Sequence, residues 1–119
     1  MRVLIVDDSS VMRKIVTRGL RQAGFSIDEI LEAGDGVQAL EVLKGAEVDL
    51  ILSDWNMPNM DGLTFVKEYR KLGQTPIVMV TTEGGESKVQ EAVACGANGH
   101  IKKPFTPETL KNTLGKFFT

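Results

Sequence analysis

Three short runs of this chain are apolar at every position, and segments with helical periodicity follow them. The runs cover residues 3–6, 50–52 and 77–80. A strand that is apolar throughout is buried on both faces, which is typical of a parallel sheet covered by helices on its two sides. Two more polar runs, 29–33 and 99–102, suit sheet edges, where charge discourages further pairing. The sequence therefore predicts a doubly wound α/β fold with three central strands and two edge strands.

Five helices are predicted between and after these strands, because apolar residues recur there at helical spacing. The faces expected to be buried include Ile15, Val37 and Val93. The predicted helices cover residues 9–23, 36–44, 62–72 and 86–95, and a fifth begins at Pro107 after the N-cap Thr106.

Length and charge narrow the classes of function. The 119 residues suit one domain, so we expect a single domain over residues 1–119. Fourteen basic and sixteen acidic side chains give no basic excess of the kind that nucleic-acid binding requires. No apolar run approaches the eighteen or so residues of a membrane span. Cys95 is the only cysteine, which excludes an internal disulfide and fits a reducing cytoplasm.

Polar residues that could bind a metal ion or a phosphoryl group follow the predicted strands. Asp7 and Asp8 follow the first, Asp54 follows the third, and Thr81 and Lys103 follow the fourth and fifth. Because ligands bind at the carboxyl ends of parallel strands, we expect these side chains to share one pocket. Carboxylates about 4 Å apart repel by roughly 4 kcal/mol at an effective dielectric near 20, so such a cluster holds a proton or binds a cation. Oxygen ligands without cysteine favour a hard cation, and Mg²⁺ fits best.

Simpler explanations exist for each residue taken singly. An aspartate or Ser9 caps the helix that follows the first strand, and Asp54 can be an ordinary loop aspartate. Thr81 is a common strand residue, and Lys103 suits an edge strand. A lone His100 near an edge is more typical of a structural role than of a metal ligand. Capping explains one aspartate in this chain but not three.

The set of motifs closely resembles the receiver domains of two-component response regulators, and in particular the single-domain chemotaxis regulators. The resemblance covers essentially the whole chain. It implies a flavodoxin-like five-stranded sheet in the order 2-1-3-4-5. The motifs are Val6-Asp7-Asp8, Asp54-Trp55-Asn56-Met57-Pro58, Met60-Asp61-Gly62, Val80-Thr81 and Lys103-Pro104-Phe105.

The resemblance also implies roles for individual residues. Asp54 matches the phosphoacceptor. Asp8 and Asp54 match Mg²⁺ ligands through their carboxylates, Asn56 matches one through its backbone carbonyl, and Asp7 matches an acid that acts through metal-bound water. The remaining matches are Thr81 and Lys103, which contact the phosphoryl oxygens, and Asn56 and Glu83, which tune the loss of the phosphoryl group.

Two positions depart from the family pattern. The switch position in the fifth strand, which acts together with Thr81, usually carries tyrosine or phenylalanine, and this chain has His100. A titratable ring therefore takes the place of the aromatic side chain. Thr82 stands where a small alanine is common, and we expect it to narrow access to Asp54.

The function that follows from the resemblance is signalling by phosphoryl transfer. We expect a cytoplasmic, monomeric, stand-alone receiver that takes a phosphoryl group from a sensor histidine kinase and assists its own phosphorylation and dephosphorylation. Its expected partners are the kinase, a downstream protein such as a flagellar motor switch, and a phosphatase. The alternative is a phosphorelay carrier or a receiver cut from a longer regulator.

Two other classes are less consistent with the residues. A flavodoxin-like cofactor binder would need a phosphate loop after the first strand, and Asp7-Asp8 would repel flavin phosphate. A phosphatase with an aspartate nucleophile would want a second acid two residues after Asp54, where Asn56 stands.

Overall fold

Five parallel strands form one sheet in the order β2-β1-β3-β4-β5. The computed structural model describes residues 1–82 and 85–117, with Glu86 described by its backbone only. The predicted flavodoxin-like fold class is confirmed, with the two polar strands at the edges. The strands are β1 Arg2–Val6, β2 Glu29–Ala33, β3 Leu50–Ser53, β4 Ile77–Thr81 and β5 Gly99–Lys102.

The helices follow the predicted segments to within two residues. They are α1 Ser10–Gln22, α2 Gly36–Gly45, α3 Gly62–Arg70, α4 Glu86–Cys95 and α5 Pro107–Leu114, with a 3₁₀ turn at Gly115–Phe117. Side-chain oxygens cap four of them by accepting a backbone N–H of the first turn, and the caps are Ser9, Asp35, Asp61 and Thr106. These caps determine the residue at which each of the four helices begins.

Helices cover both faces of the sheet, so the core has two parts. On one face, Val3 and Ile5 of β1 pack with residues of α1 and α5. On the other face, Leu4 and Val6 pack with residues of α2, α3 and α4. This two-sided burial is the reason that the central strands are apolar at every position. In residues 1–82 and 85–117, no helix has the length and apolarity needed to cross a membrane.

Three of the residues expected on buried helix faces are exposed instead. Ile15 is 46% exposed, Val37 45% and Val93 55%. Each lies next to a buried residue in the chain, and successive residues are about 100° apart around a helix. The buried face of each helix is therefore narrower than its apolar pattern suggested. The predicted burial of Ile15, Val37 and Val93 was wrong.

Candidate functional site

The parallel register brings the polar strand ends together. Val6 of β1 pairs with Ser53 of β3, so Asp7 and Asp54 follow two adjacent strands at the same level. The backbone N–H of Asp54 donates to the Val6 carbonyl at 2.8 Å, which fixes this alignment. On the other side of β3, the Lys103 N–H donates to the Thr81 carbonyl at 2.9 Å. The site lies where the strand order reverses between β1 and β3, which is the usual ligand crevice of such sheets.

Three carboxylates form the centre of the site. One oxygen each from Asp7, Asp8 and Asp54 lies within 4.8 Å of the other two. Asp7 is buried, Asp54 is half-buried and Asp8 is exposed, so the cluster is open to solvent on the Asp8 side. The structure thus places the three carboxylates together, as the sequence predicted.

Lys103 is the cation of this pocket. Its Nζ lies 3.0 Å from Oδ2 of Asp7 and 3.5 Å from Oδ2 of Asp54. The three side chains are largely shielded from solvent, with exposed fractions of 14% for Lys103, 6% for Asp7 and 13% for Asp54. Ion pairs that are buried to this degree are screened much less than surface pairs. Lys103 therefore neutralises part of the charge of two carboxylates at once.

Each carboxylate oxygen of Asp7 accepts a hydrogen bond from within the protein. Its Oδ1 accepts the Ser9 N–H at 2.9 Å, and its Oδ2 accepts from Lys103. The Arg13 guanidinium donates to the backbone carbonyl of Asp7, which holds the start of the loop in place. Both oxygens of Asp7 are thus engaged within the protein, whereas Asp8 is exposed to solvent.

Asp54 stands in an unfavourable environment for a negative charge. Burial raises the pKa of its carboxyl above the ordinary value, and the Lys103 ammonium opposes that shift. The Trp55 N–H, which donates to Oδ1 at 2.7 Å, also lowers the pKa, whereas the charge of Asp7 raises it. The net rise means that the anion of Asp54 is stabilised incompletely by the protein alone. A bound cation would complete that stabilisation.

The loop after β3 is held against the site by a glycine. The Gly62 N–H donates to the Trp55 carbonyl at 2.8 Å. A Cβ atom at position 62 would lie 2.3 Å from the carbonyl oxygen of Asp54 and 2.8 Å from the Cε of Met79. Only glycine allows this approach of the α3 N-terminus to the backbone of Asp54.

Asp35 and Asn59 anchor the same loop, and sequence reasoning missed both. Asn59 has a positive φ of 64°, and its amide donates to Oδ2 of Asp35 at 2.7 Å. The other oxygen of Asp35 accepts the Gln38 N–H as the α2 cap. These two hydrogen bonds, the Gln38 one first, lower the pKa of Asp35. The cap was detectable from an aspartate before Gly36, but its contact with a residue 24 positions away was not.

The remaining predicted site residues are distributed around this centre. Thr81 is fully buried at the end of β4, and Asn56 is exposed two residues after Asp54. His100 is half-buried on β5 opposite Met79, on the sheet face that α4 covers. Glu83 lies outside the described residues, so its predicted role has no structural counterpart here.

Thr82 is exposed and lines an apolar groove of about 300 Å³ beside Lys103. The groove also contacts Ile15 and Phe105, so the exposed Ile15 side chain faces the edge of the site.

Comparison with known proteins identifies the family of this arrangement. The family model described as the response regulator receiver domain matches residues 3–115. The chain belongs to the response regulator receiver family. It is CheY-like: the chemotaxis protein CheY homolog of Campylobacter jejuni is 48% identical over 118 residues, which cover 96% of this chain and 89% of that protein. Chemotaxis protein CheY1 of Helicobacter pylori is 45% identical, over 96% of this chain and 94% of its own length.

Solved receiver structures have the same fold. The chemotaxis response regulator CheY4 of Vibrio cholerae superposes with a TM-score of 0.85 at 46% identity, covering 98% of both chains. A chain of the CheX–CheY complex with BeF₃ and Mg²⁺ from Borrelia burgdorferi superposes with a TM-score of 0.88 at 29% identity. That match covers 100% of this chain and 90% of the Borrelia chain.

Proposed function

We propose that this receiver accepts a phosphoryl group on the carboxylate of Asp54. The chain is a CheY-like chemotaxis response regulator, and its signal would be the phosphorylated state of that one residue. The observation that carries the assignment is the geometry around Asp54. Its Oδ2 lies 3.5 Å from Lys103, in a cluster with Asp7 and Asp8 that opens to solvent. A nucleophile, a cation and an entrance for the donor are thus present in one place.

The donor set fits Mg²⁺. Asp8 and Asp54 offer carboxylate oxygens, Asn56 would add its backbone carbonyl, and Asp7 would act through water. Hard oxygen ligands and an exposed side that leaves room for water are what Mg²⁺ prefers. When bound, Mg²⁺ supplies positive charge that neutralises the phosphoryl oxygens.

The chemical step is a displacement at phosphorus by the Asp54 carboxylate. A new O–P bond forms an acyl phosphate, and the bond between phosphorus and the donor breaks. The electron pair of that bond leaves with the donor, a histidine nitrogen or a small carboxylate. Lys103 is already beside Asp54 and would follow the charge onto the phosphoryl oxygens as a point cation. The Thr81 hydroxyl would donate a hydrogen bond to one of those oxygens.

The chain is a signalling domain rather than a classical enzyme. Because phosphoryl transfer depends mainly on positioning and charge, the pocket itself would assist both the gain and the loss of the phosphoryl group. Asn56 and Glu83 are the side chains proposed to tune the loss to water. The proposed donor is a sensor histidine kinase, and the proposed output partner is a downstream protein such as a flagellar motor switch, in the cytoplasm. The Borrelia complex supports the idea that a receiver of this kind binds other proteins.

Intact-mass measurement tests the phosphoacceptor. Treatment with acetyl phosphate and Mg²⁺ should add one labile phosphoryl group to the wild-type chain and none to Asp54→Asn. Asp61→Asn is a matched control, because Asp61 caps α3 from the same loop and should not prevent labelling. An adduct that persists in Asp54→Asn would refute the assignment.

A second experiment tests how the signal leaves the site. We propose that Thr81 couples the phosphoryl group to the surface formed by α4, β5 and α5, with His100 at the switch position. Amide shifts of residues 85–105 should respond to beryllofluoride, a phosphoryl mimic, in wild type and in Thr81→Ser, which keeps the hydroxyl. They should respond much less in Thr81→Ala. Equal responses in Thr81→Ser and Thr81→Ala would rule out the hydroxyl as the coupling group.

A further inference from the structure

A basic groove lies along the free edge of β2, away from the carboxylate cluster. It has a volume of about 560 Å³ and lies between α1 and β2. Lys14, Arg18 and Arg21 line it from the helix, and Ile30 and Glu32 line it from the strand. None of these residues belongs to the carboxylate cluster, and the chain as a whole carries a net charge of −2. A concentrated positive groove on such a chain needs an explanation of its own.

The three cations of this groove are unneutralised in the described part of the chain. Lys14, Arg18 and Arg21 are exposed, and α1 contains no acidic residue. The acids of β2 already have partners: Glu32 pairs with Arg13 at 2.9 Å, and Glu29 pairs with Arg2 at 2.8 Å. The groove therefore keeps a net positive charge, with three cations against the one carboxylate of Glu32, and an anionic ligand would complement it.

The strand edge determines which anionic ligand fits. β2 pairs with β1 on one side only, and it is an edge of the sheet. Alternate residues of an edge strand direct backbone N–H and C=O groups away from the sheet, where an extended peptide can pair with them. Another extended backbone matches this alternating row of donors and acceptors, whereas the phosphates of lipids and nucleic acids can only accept. Charge and edge together indicate a polypeptide.

The spacing of the cations agrees with an added strand. Ile30 and Glu32 face the α1 side of the sheet, since their partners Val3 and Ile5 belong to the core cluster of that side. A strand added beside β2 would direct every second side chain to the same side. Those side chains recur about every 6.6 Å along a strand. Lys14 and Arg18 are separated by about 6 Å along the helix axis.

We infer that the β2 edge binds an extended acidic segment of a partner protein, with carboxylates at alternate positions. The segment would extend the sheet by one strand and direct its carboxylates to Lys14, Arg18 and Arg21. The contact uses none of the residues of the carboxylate cluster, so it can hold a partner whether or not Asp54 is modified.

The test uses the isotopically labelled full chain and a capped seven-residue peptide in which glutamate alternates with threonine. Binding should shift the amides of residues 29–33 and slow their hydrogen exchange, which diffuse electrostatic binding would not do. Replacing Lys14, Arg18 and Arg21 together by glutamine should weaken binding at least tenfold. Replacing Lys44, Lys71 and Lys111 instead removes the same charge elsewhere and should have little effect.

Three further ligands separate the inferred contact from general attraction of anions. A peptide of the same composition with adjacent glutamates should bind much more weakly, and so should an alternating peptide N-methylated at every second residue. Inorganic polyphosphate should give no exchange protection in β2. If polyphosphate or the adjacent-glutamate peptide binds as tightly as the alternating peptide, or if no peptide protects β2, the inference is wrong.

Discussion

Replacing Lys103 by methionine should destabilise the protein when no divalent cation is present. At an effective dielectric near 20, charges 3.0 Å and 3.5 Å apart attract by about 5.5 and 4.7 kcal/mol. Desolvation of the three groups offsets much of that attraction, and breaking a buried pair usually costs about 3–5 kcal/mol. We expect a loss near the lower end, about 3 kcal/mol, because burial already outweighs Lys103 in the pKa of Asp54. For a domain of this size, that corresponds to a fall in Tm of roughly 10 °C.

Mg²⁺ should reverse much of this loss. Without Lys103 the site carries one positive charge less, so Lys103→Met should bind Mg²⁺ more tightly than wild type. A concentration of one hundred times Kd would restore about 2.7 kcal/mol. Urea denaturation in EDTA and in Mg²⁺ measures the stability, and the fluorescence of the buried Trp55 beside Asp54 reports the binding. Lys102→Met is the matched control, since Lys102 is the exposed neighbour in the chain.

Two results would contradict this reasoning. The first is a Lys103→Met protein as stable as Lys102→Met in EDTA, which would mean that the ion pairs contribute nothing. The second is unchanged or weaker Mg²⁺ affinity, which would mean that Lys103 and the cation do not compete for the same carboxylates.

Three further substitutions probe the site. Asp54→Asn removes a charge whose pKa burial raises, so unfolding free energy in EDTA should increase at neutral pH. That gain should shrink as pH falls through the raised pKa, because wild-type Asp54 then takes up its proton; a pH series of urea titrations checks it. Gly62→Ala should cost about 1–3 kcal/mol through the clash with the Asp54 carbonyl, whereas Gly45→Ala, with open space around its Cβ, should not. Asp35→Ala should cost about 1–2 kcal/mol in the same assay and loosen the loop at Asn59, because it removes the α2 cap and the Asn59 contact.

The sequence predicted the strands and the pocket well, because the patterns that indicate them have few other structural explanations. Continuously apolar runs identified the central strands, and the carboxyl ends of those strands identified the pocket, because parallel strands all end at one edge of the sheet. That topology alone was enough to predict that four side chains share one pocket, namely those of Asp7, Asp8, Asp54 and Lys103.

The sequence was uninformative where the outcome depends on packing between distant segments. The packing of the helices on the sheet determines three features of this kind. They are the contact between Asp35 and Asn59, the close approach of α3 to Asp54 at Gly62, and the exposure of Ile15. The basic groove at β2 was not predicted either: the cations of α1 can be read from the sequence, but their position beside the free edge of β2 cannot.

Chemical trapping of the phosphorylated residue tests the central claim most directly. Borohydride reduces an aspartyl phosphate to homoserine, and fragment mass spectrometry then locates the converted residue. After treatment with acetyl phosphate and Mg²⁺, homoserine should be found at position 54 and nowhere else, and it should be absent when Mg²⁺ is replaced by EDTA. Conversion at Asp7, Asp8 or any other position, with Asp54 unchanged, would contradict the assignment of Asp54 as the phosphoacceptor.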